Sequence, residues 1–195
     1  MVMSNKIAIF ASGTGTNFDA IMDAIDEGTL DAEVSLLVTD KINAGVIEKA
    51  QNRDVDTVVY NPKSFTDKAA YESALLADCR ARDVEWIILA GYMRLIGPTL
   101  LEAYSKRIVN IHPSLLPAFP GKDAIGQALD KKVKVTGVTV HFVDDGMDTG
   151  PIIAQEALSI TEEDTKDEVR RKIQAVEHKL YPRVIQSLLT KEEAK

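Results

Sequence analysis

Short apolar runs alternate with longer stretches of helical periodicity along most of this 195-residue chain, and this alternation limits the fold more than any other feature. Such alternation is typical of βαβ units and a mostly parallel sheet. The predicted strands are almost continuously apolar, as expected where helices cover both faces of a sheet. The sequence therefore predicts an α/β fold: a mostly parallel, twisted sheet with helices on both faces, Rossmann-like in arrangement.

The elements can be placed along the chain with approximate bounds. Predicted strands cover residues 6–11, 33–39, 57–60, 86–90 and 107–110. Predicted helices between them cover residues 17–27, 44–53, 66–82 and 98–104. After Asn110 the pattern changes to a proline-rich stretch, HPSLLPAFPGKDA, whose length indicates a functional loop and whose apolar residues argue against disorder.

Regular structure returns towards the C-terminus. We predict a short helix at 124–129, strands at 134–143 and 152–158, and a helix at 166–189 with apolar residues at helical spacing. Pro182 is expected to kink this last helix or to split off its final turn. Because no repeat, low-complexity tract or linker interrupts the chain, residues 1–195 are predicted to form a single domain.

The bulk composition narrows the class of protein. The formal charge of −7 argues against a non-specific nucleic-acid binder, which needs a basic stripe. The single cysteine, Cys79, cannot form an internal disulfide and fits a reducing compartment. No apolar run reaches the length of a signal peptide or a membrane-spanning helix. We therefore expect a soluble cytoplasmic protein with no nucleic-acid or membrane partner.

A glycine-rich loop, SGTGTN at 12–17, follows the first predicted strand and opens the first predicted helix. Its glycines allow close approach of a ligand, and the helix N-terminus offers unpaired amides to an anion. Phe18 stands where a dinucleotide fingerprint needs its third glycine, and a Gly-Lys-Ser/Thr ending is absent. The loop favours a single phosphate, with a plain turn capped by Thr16 or Asn17 as the alternative. Asp40, after the second strand, fits a ribose-binding acid or a helix cap.

Asn110 and His112 lie two residues apart at the end of a predicted strand, so both side chains project to one side. An amide donor and an imidazole that exchanges protons near neutral pH suit an oxyanion on a tetrahedral centre. The turn after the 134–143 strand carries Asp144, Asp145 and Asp148, and a carboxylate that reached His112 would favour the imidazolium. Local chemistry does not choose among the three. Taken separately, a His-Pro pair is more often a turn, and a loop carboxylate is more often solvated.

Five segments, in order, resemble the phosphoribosylglycinamide formyltransferases, which are folate-dependent enzymes of purine synthesis. They are SGTGTN, AGYMRLI, NIHPSLLPAFPG, GVTVHFVDDGMDTGPIIAQ and, in the last helix, QAVEH. NIHPSLLP alone marks the wider formyltransfer superfamily. The glycine-rich loop and the compact length narrow the resemblance to the phosphoribosylglycinamide formyltransferases. The resemblance implies a formyltransferase fold whose N-terminal half binds the nucleotide phosphate and whose C-terminal half binds folate and carries the catalytic residues.

The resemblance implies that Asn110, His112 and Asp148 are catalytic. The amine of glycinamide ribonucleotide would attack the formyl carbon of the co-substrate 10-formyltetrahydrofolate, and Asn110 with protonated His112 would stabilise the oxyanion. Asp148 would keep His112 protonated and help to move protons through water. No metal is expected, since the three histidines lack ligand spacing. A homodimer is left open.

Binding residues follow from the same resemblance. The ribonucleotide phosphate would lie against Gly13, Thr14, Gly15, Thr16, Asn17, Gln174 and Glu177. The reduced folate would lie against Met93, Arg94, Leu95, Ile96, Asp144, Asp145, Gly146 and Met147. Lys68 stands where an arginine on the folate side is expected, and a lysine keeps the charge but not the bidentate fork. From local pattern alone, Leu95 and Ile96 are typical of core, His141 of a structural or supporting histidine, and His178 of a solvated or structural one.

Three other functions fit parts of the pattern. Methionyl-tRNA formyltransferase resembles this chain around residues 110–116 but adds a C-terminal domain and a basic surface for RNA, against which the length and the −7 charge count. Formyltetrahydrofolate deformylase shares the catalytic trio and usually adds an N-terminal regulatory domain. A non-catalytic nucleotide-binding module would leave the pairing of Asn110 with His112 unexplained.

Overall fold

The computed structural model describes residues 5–193, which form one seven-stranded sheet with helices on both faces. The strands are β1 (Asn5–Phe10), β2 (Ala32–Thr39), β3 (Thr57–Val59), β4 (Trp86–Leu89), β5 (Ile108–His112), β6 (Val135–Phe142) and β7 (Ile152–Ser159). Their spatial order is β3-β2-β1-β4-β5-β6-β7. The first five strands pair in parallel, whereas β6 runs antiparallel to both β5 and β7.

Six α-helices accompany the sheet in the described part of the chain. They are α1 (Thr16–Asp26), α2 (Val46–Gln51), α3 (Lys68–Ala81), α4 (Pro98–Ala103), α5 (Ala124–Asp130) and α6 (Lys166–Glu193). Two begin at aspartate caps: the Asp67 side chain accepts from the Ala70 amide at 2.8 Å, and Asp123 accepts from the Gly126 amide at 3.2 Å. Each cap satisfies a backbone donor that the first helical turn leaves unpaired.

Alternate residues of β1 serve two hydrophobic cores, one on each face of the sheet. Ile7 and Ile9 pack with α1, α2, α5 and α6, whereas Ala8 and Phe10 pack with α3 and α4. All four side chains are completely buried. A strand buried on both faces needs apolar residues at every position, which explains the continuous runs seen in the sequence.

The sheet changes direction of winding at β1 and β4. The chain leaves β1 to form β2 on one side, and β4 pairs with the other side of β1. Ligands of open α/β sheets bind at such a switch point, beyond the carboxyl ends of the strands. The glycine-rich loop after β1 and the segment after β4 therefore lie at the place where a ligand is expected.

The predicted fold class is confirmed, and each predicted element is present with its ends moved by a few residues. Two differences matter. β5 continues to His112, so both residues of the proposed pair lie within the strand. α6 is not split at Pro182 and continues to Glu193. Leu180, Tyr181 and Ile185 around the proline are buried in the core, and this packing outweighs the lost backbone hydrogen bond.

Replacing Tyr181 with phenylalanine tests how α6 is fixed to the sheet. The buried Tyr181 hydroxyl lies 2.8 Å from the Leu89 carbonyl oxygen and 3.1 Å from that of Val109, and it can donate to either. We expect Tyr181→Phe to lower the free energy of unfolding by about 1–3 kcal/mol, because a buried acceptor loses its donor. Urea unfolding followed by circular dichroism measures this. Tyr60→Phe, which removes a more exposed hydroxyl bond to Asp78, is the matched control, and an equal loss in both variants would contradict the prediction.

Candidate active site

A cavity of about 480 Å³ opens at the carboxyl edge of the sheet, between the segments that follow β4, β5 and β6. Its lining includes Asn110 and His112 from β5, His141 from β6 and Asp148 from the turn after β6. On another side the cavity reaches α1 through Asn17 and α6 through Arg170 and Glu177. The polar groups singled out in the sequence for chemistry therefore share one cavity.

Strand geometry places Asn110 and His112 together. They alternate along β5 with Val109 and Ile111, both of which are buried in the core on one side of the sheet. Because side chains two residues apart in a strand project to the same face, Asn110 and His112 both reach the cavity. The pairing inferred from their spacing agrees with the structure.

The Asp148 carboxylate meets groups from three parts of the chain. One oxygen, Oδ2, lies 3.4 Å from His112 Nδ1 and accepts a 2.7 Å hydrogen bond from the Gly121 amide. The other, Oδ1, lies 3.7 Å from His141 Nε2. Burial alone would raise the pKa of Asp148, but the nearby His141 ring, the hydrogen bond from the Gly121 amide and the charge of the His112 ring hold the pKa below its ordinary value. Asp148 is therefore a carboxylate at neutral pH.

Both nitrogens of the His112 ring face acceptors. Nε2 donates to the Phe119 carbonyl oxygen at 2.9 Å, and Nδ1 faces the Asp148 carboxylate. A carbonyl oxygen and a carboxylate can only accept, so a ring protonated on both nitrogens satisfies both contacts. The surroundings of this 5% exposed residue thus suit an imidazolium that can donate a proton.

His141 belongs to the site, which the sequence pattern alone did not establish. Its Nδ1 donates to the Phe142 carbonyl oxygen at 2.8 Å, and its Nε2 lies 3.3 Å from Asn110 Nδ2. A neutral ring accepts from Asn110, whereas a protonated ring donates to Asp148. The signal that could have found His141 is the antiparallel register, which sets it directly opposite Asn110. The half-buried His178 on α6 is not among the described residues that line the cavity.

The glycine-rich loop has the backbone of an anion site. Gly15 precedes α1 in the left-handed region at φ 77°, and no side chain caps the helix. A Cβ at Gly15 would lie 2.6 Å from the Val46 side chain, so the position requires glycine for space as well as for conformation. The amides of the first turn of α1 remain available to a ligand, and Gly13 and Thr14 are exposed beside them.

Asn17 and Glu177 form a buried pair between α1 and α6. Asn17 Nδ2 donates to Glu177 Oε2 at 3.1 Å, and Asn17 Oδ1 is buried without a partner. Burial raises the pKa of Glu177 to about 7, although the Asn17 hydrogen bond acts in the opposite direction. Both side chains line the cavity, so a protonatable carboxyl group lies near the glycine-rich loop.

Apolar side chains form the opposite wall of the cavity. Met93 is 70% exposed, and Leu95 and Met147 are each 51% exposed. Large apolar groups left this open at a cavity indicate a site for an apolar ligand surface. The interpretation of Leu95 as a core residue is wrong, because the segment after β4 turns its side chain outwards; Ile96 does lie in the core.

Asp40 neither caps a helix nor lines the cavity in the described part of the chain. Its carboxylate accepts from the Ser12 hydroxyl at 2.5 Å and faces Arg94 at 3.6 Å. Helix α2 begins later, at Val46, without a side-chain cap. Neither expectation for Asp40, a helix cap or a ribose-binding acid, matches these contacts.

Other residues assigned through the resemblance surround the cavity without lining it. Lys68 lies in a neighbouring cavity of about 460 Å³, with its Nζ 3.9 Å from Glu72. The Asp144 carboxylate accepts from the Gly146 amide and the Thr149 hydroxyl, and so shapes the turn. Outside the described lining are Gly13, Thr14, Gly15, Thr16, Lys68, Asp144, Asp145 and Gln174.

Residues 5–193 contain neither a candidate metal site nor a candidate membrane span. No group of three or more histidine, cysteine or acidic side chains there could hold a metal ion. Within the same residues, no helix is both long and apolar enough to span a bilayer.

Comparison with known proteins gives a consistent result. The formyl transferase family model matches residues 5–185. The chain is 55% identical to phosphoribosylglycinamide formyltransferase of Bacillus subtilis (strain 168) over 184 aligned residues. These residues cover 94% of each chain.

Solved structures agree with this match. The crystal structure of phosphoribosylglycinamide formyltransferase from Bacillus halodurans has a TM-score of 0.94 at 55% identity and covers 96% of this chain and 97% of that one. The crystal structure of glycinamide ribonucleotide transformylase 1 from Geobacillus kaustophilus has a TM-score of 0.93 at 56% identity and covers 96% of this chain and 100% of that one. The chain therefore belongs to the formyl transferase family, among its phosphoribosylglycinamide formyltransferases.

Proposed function

We propose that this chain transfers the formyl group of 10-formyltetrahydrofolate to the amine of glycinamide ribonucleotide, N1-(5-phospho-D-ribosyl)glycinamide. The products are tetrahydrofolate and the N2-formyl ribonucleotide, in de novo purine (IMP) biosynthesis. The observation that carries the proposal is the meeting of Asn110, His112 and Asp148 at one cavity, in a chain so similar to named enzymes of this reaction.

Asn110 and His112 stabilise the charge that develops during transfer. Attack of the substrate amine on the formyl carbon forms a carbon–nitrogen bond and moves an electron pair onto the formyl oxygen. Asn110 Nδ2 donates one hydrogen bond to this oxyanion, and His112 Nε2 donates a second, which replaces its hydrogen bond to the Phe119 carbonyl oxygen. Donors fixed by a strand before the reaction need little reorganisation when the charge appears.

Asp148 supports the proton transfers. Its ionised carboxylate favours the protonated His112 ring. Collapse of the tetrahedral intermediate breaks the bond to N10 of the folate, which needs a proton, while the attacking nitrogen loses one. A carboxylate at the cavity wall suits the relay of that proton through water.

The two substrates take opposite sides of the cavity. The phosphate binds the amides at the start of α1, from Gly13 to Asn17, because the helix N-terminus attracts an anion. Glu177 and the nearby Gln174 suit the hydroxyl groups of the ribose better than the phosphate, which a carboxylate would repel. The folate lies against the apolar wall of Met93, Leu95 and Met147, with Arg94 and, outside the lining, Lys68 offering positive charge.

A side-by-side assay distinguishes this function from its rivals. The protein is given 10-formyltetrahydrofolate with glycinamide ribonucleotide, with methionyl-tRNA, or with water alone, and tetrahydrofolate release is followed. We expect rapid release only with the ribonucleotide, because the glycine-rich loop provides a site for its phosphate. Equal release with water would indicate a deformylase, and preference for the tRNA would also contradict the proposal.

Replacing Asp148 with asparagine tests the charge at nearly constant shape. We expect Asp148→Asn to lower kcat by about 10²-fold or more, since general acid–base support and oxyanion stabilisation are each worth at least that much. Steady-state kinetics measure the loss, and thermal unfolding checks the fold. Asp54→Asn is the matched control, because Asp54 is exposed and also has a left-handed backbone, at φ 54° against 57° for Asp148. A kcat within about twofold of the control would remove Asp148 from the mechanism.

Replacing Glu177 with glutamine tests the buried carboxyl group through pH. The folded-state pKa of Glu177, about 7, lies above its ordinary value of 4.5, so the folded state holds the proton more tightly than the unfolded state. The stability that the protonated group contributes is fully present below the unfolded pKa and is lost as the pH rises to about 7. We therefore expect the wild type to lose unfolding free energy relative to Glu177→Gln over this window, measured by urea titrations. A difference that stays constant with pH would contradict the assignment.

We also propose the cytoplasm as the site of action. The lone, buried Cys79 and the absence of a spanning helix within the described residues are compatible with that compartment.

That the protein forms a homodimer remains a prediction.

A further inference from the structure

The Ser12 hydroxyl joins the two substrate-binding segments. It accepts from the Met93 amide at 3.0 Å and donates to Asp40 Oδ1 at 2.5 Å. The Ser12 amide in turn donates to the Gly91 carbonyl oxygen at 3.1 Å. The start of the glycine-rich loop is therefore hydrogen bonded, through side chain and backbone, to the segment 91–96.

Asp40 fixes the same segment by charge. Its side chain is only 2% exposed, and its second oxygen, Oδ2, lies 3.6 Å from Arg94 Nη1. The Arg94 guanidinium also lies 5.9 Å from the centre of the Tyr71 ring, within reach of a cation–π contact. A buried carboxylate between a hydroxyl and a guanidinium holds both in one geometry, because leaving either oxygen unpaired would be costly.

Side-chain packing restrains Met93 itself little, since it is 70% exposed, whereas Tyr92 and Ile96 on either side pack in the core formed with α3 and α4. Among the contacts described for Met93, the hydrogen bond from its amide to the Ser12 hydroxyl is the one that holds its backbone. Loss of that hydrogen bond would loosen the exposed part of the apolar wall while Tyr92 and Ile96 stay packed in the core. The mechanism above uses neither Ser12 nor Asp40.

We propose that Ser12 and Asp40 are positioning residues for folate recognition, acting through the Met93 amide and the Arg94 guanidinium. Ser12 belongs to the loop that faces the ribonucleotide, yet its hydroxyl controls the segment that faces the other substrate. The inference rests on the proposed function for the identity of the two ligands. If Ser12 acted only within the glycine-rich loop, its replacement would instead raise the KM for the ribonucleotide.

Steady-state kinetics with both substrates separate these possibilities. We expect Ser12→Ala to raise the KM for 10-formyltetrahydrofolate by about tenfold, equivalent to about 1.4 kcal/mol. The KM for glycinamide ribonucleotide should change less than about twofold, because the amides of α1 do not depend on the hydroxyl. Asp40→Asn, which keeps the shape and removes the charge facing Arg94, should show the same selective defect. Ser12→Thr, which retains a hydroxyl, should restore the folate KM.

Matched controls exist elsewhere in the chain. Ser35→Ala removes a hydroxyl that meets only the neighbouring Glu33 among the contacts described for it. Asp78→Asn alters an aspartate that, like Asp40, contacts a hydroxyl and an arginine, here Tyr60 and Arg82. Both controls should leave the two KM values unchanged.

The outcomes separate this inference from the proposed function. A wild type without ribonucleotide-dependent turnover overturns the function. An active wild type whose Ser12→Ala and Asp40→Asn variants keep a normal folate KM, or lose ribonucleotide affinity instead, overturns the inference. Hydrogen exchange of residues 91–96 supplies a readout without substrates: it should be faster in Ser12→Ala than in Ser35→Ala, and equal rates overturn the inference whatever the assay gives.

Discussion

The candidate active site depends on the Asp148 carboxylate. It contacts imidazoles from two neighbouring strands, His112 on β5 and His141 on β6, and the backbone amide of Gly121 in the loop between them. Burial opposes a charge at this place, so the surrounding donors are what keep the group ionised. The carboxylate therefore orients the ring that carries the proton and also fastens the loop that closes over it.

β5 is where the two halves of the sheet meet. It pairs in parallel with β4 and antiparallel with β6. The parallel half brings the carboxyl ends of β1 and β4 together and so provides binding segments, as expected at a switch point. The antiparallel half places His141 directly opposite Asn110, so the side chains of these two residues lie side by side on neighbouring strands. Binding and chemistry thus arise from two kinds of strand pairing that share one strand.

Much of this could be predicted from the sequence, because strands buried on both faces and helices with caps leave local patterns. The spacing of Asn110 and His112 was enough to place them together. The choice of Asp148 over Asp144 required the family resemblance, since a turn gives no periodicity from which to infer direction. His141 was not assigned to the site because its role depends on which strand pairs with β5, and that register is a long-range property. The local pattern of Leu95 was typical of core, and only the resemblance assigned it to the folate side, because hydrophobicity alone does not distinguish the core from an apolar ligand site.

The net charge of −7 appears at odds with two anionic substrates, but the local arrangement resolves the conflict. In the proposed function, phosphate affinity comes from the uncapped amides of α1, whose partial charges act only within the first turn. Arg94, Lys122 and Arg170 line the cavity and add positive charge to its wall. Glu177, which contacts Asn17 of the glycine-rich loop, has a pKa raised to about 7, so burial removes much of the repulsion that its charge would cause. An acidic protein can therefore bind anions, provided that the negative charges near the site are protonated or paired with cations, as Asp40 is with Arg94.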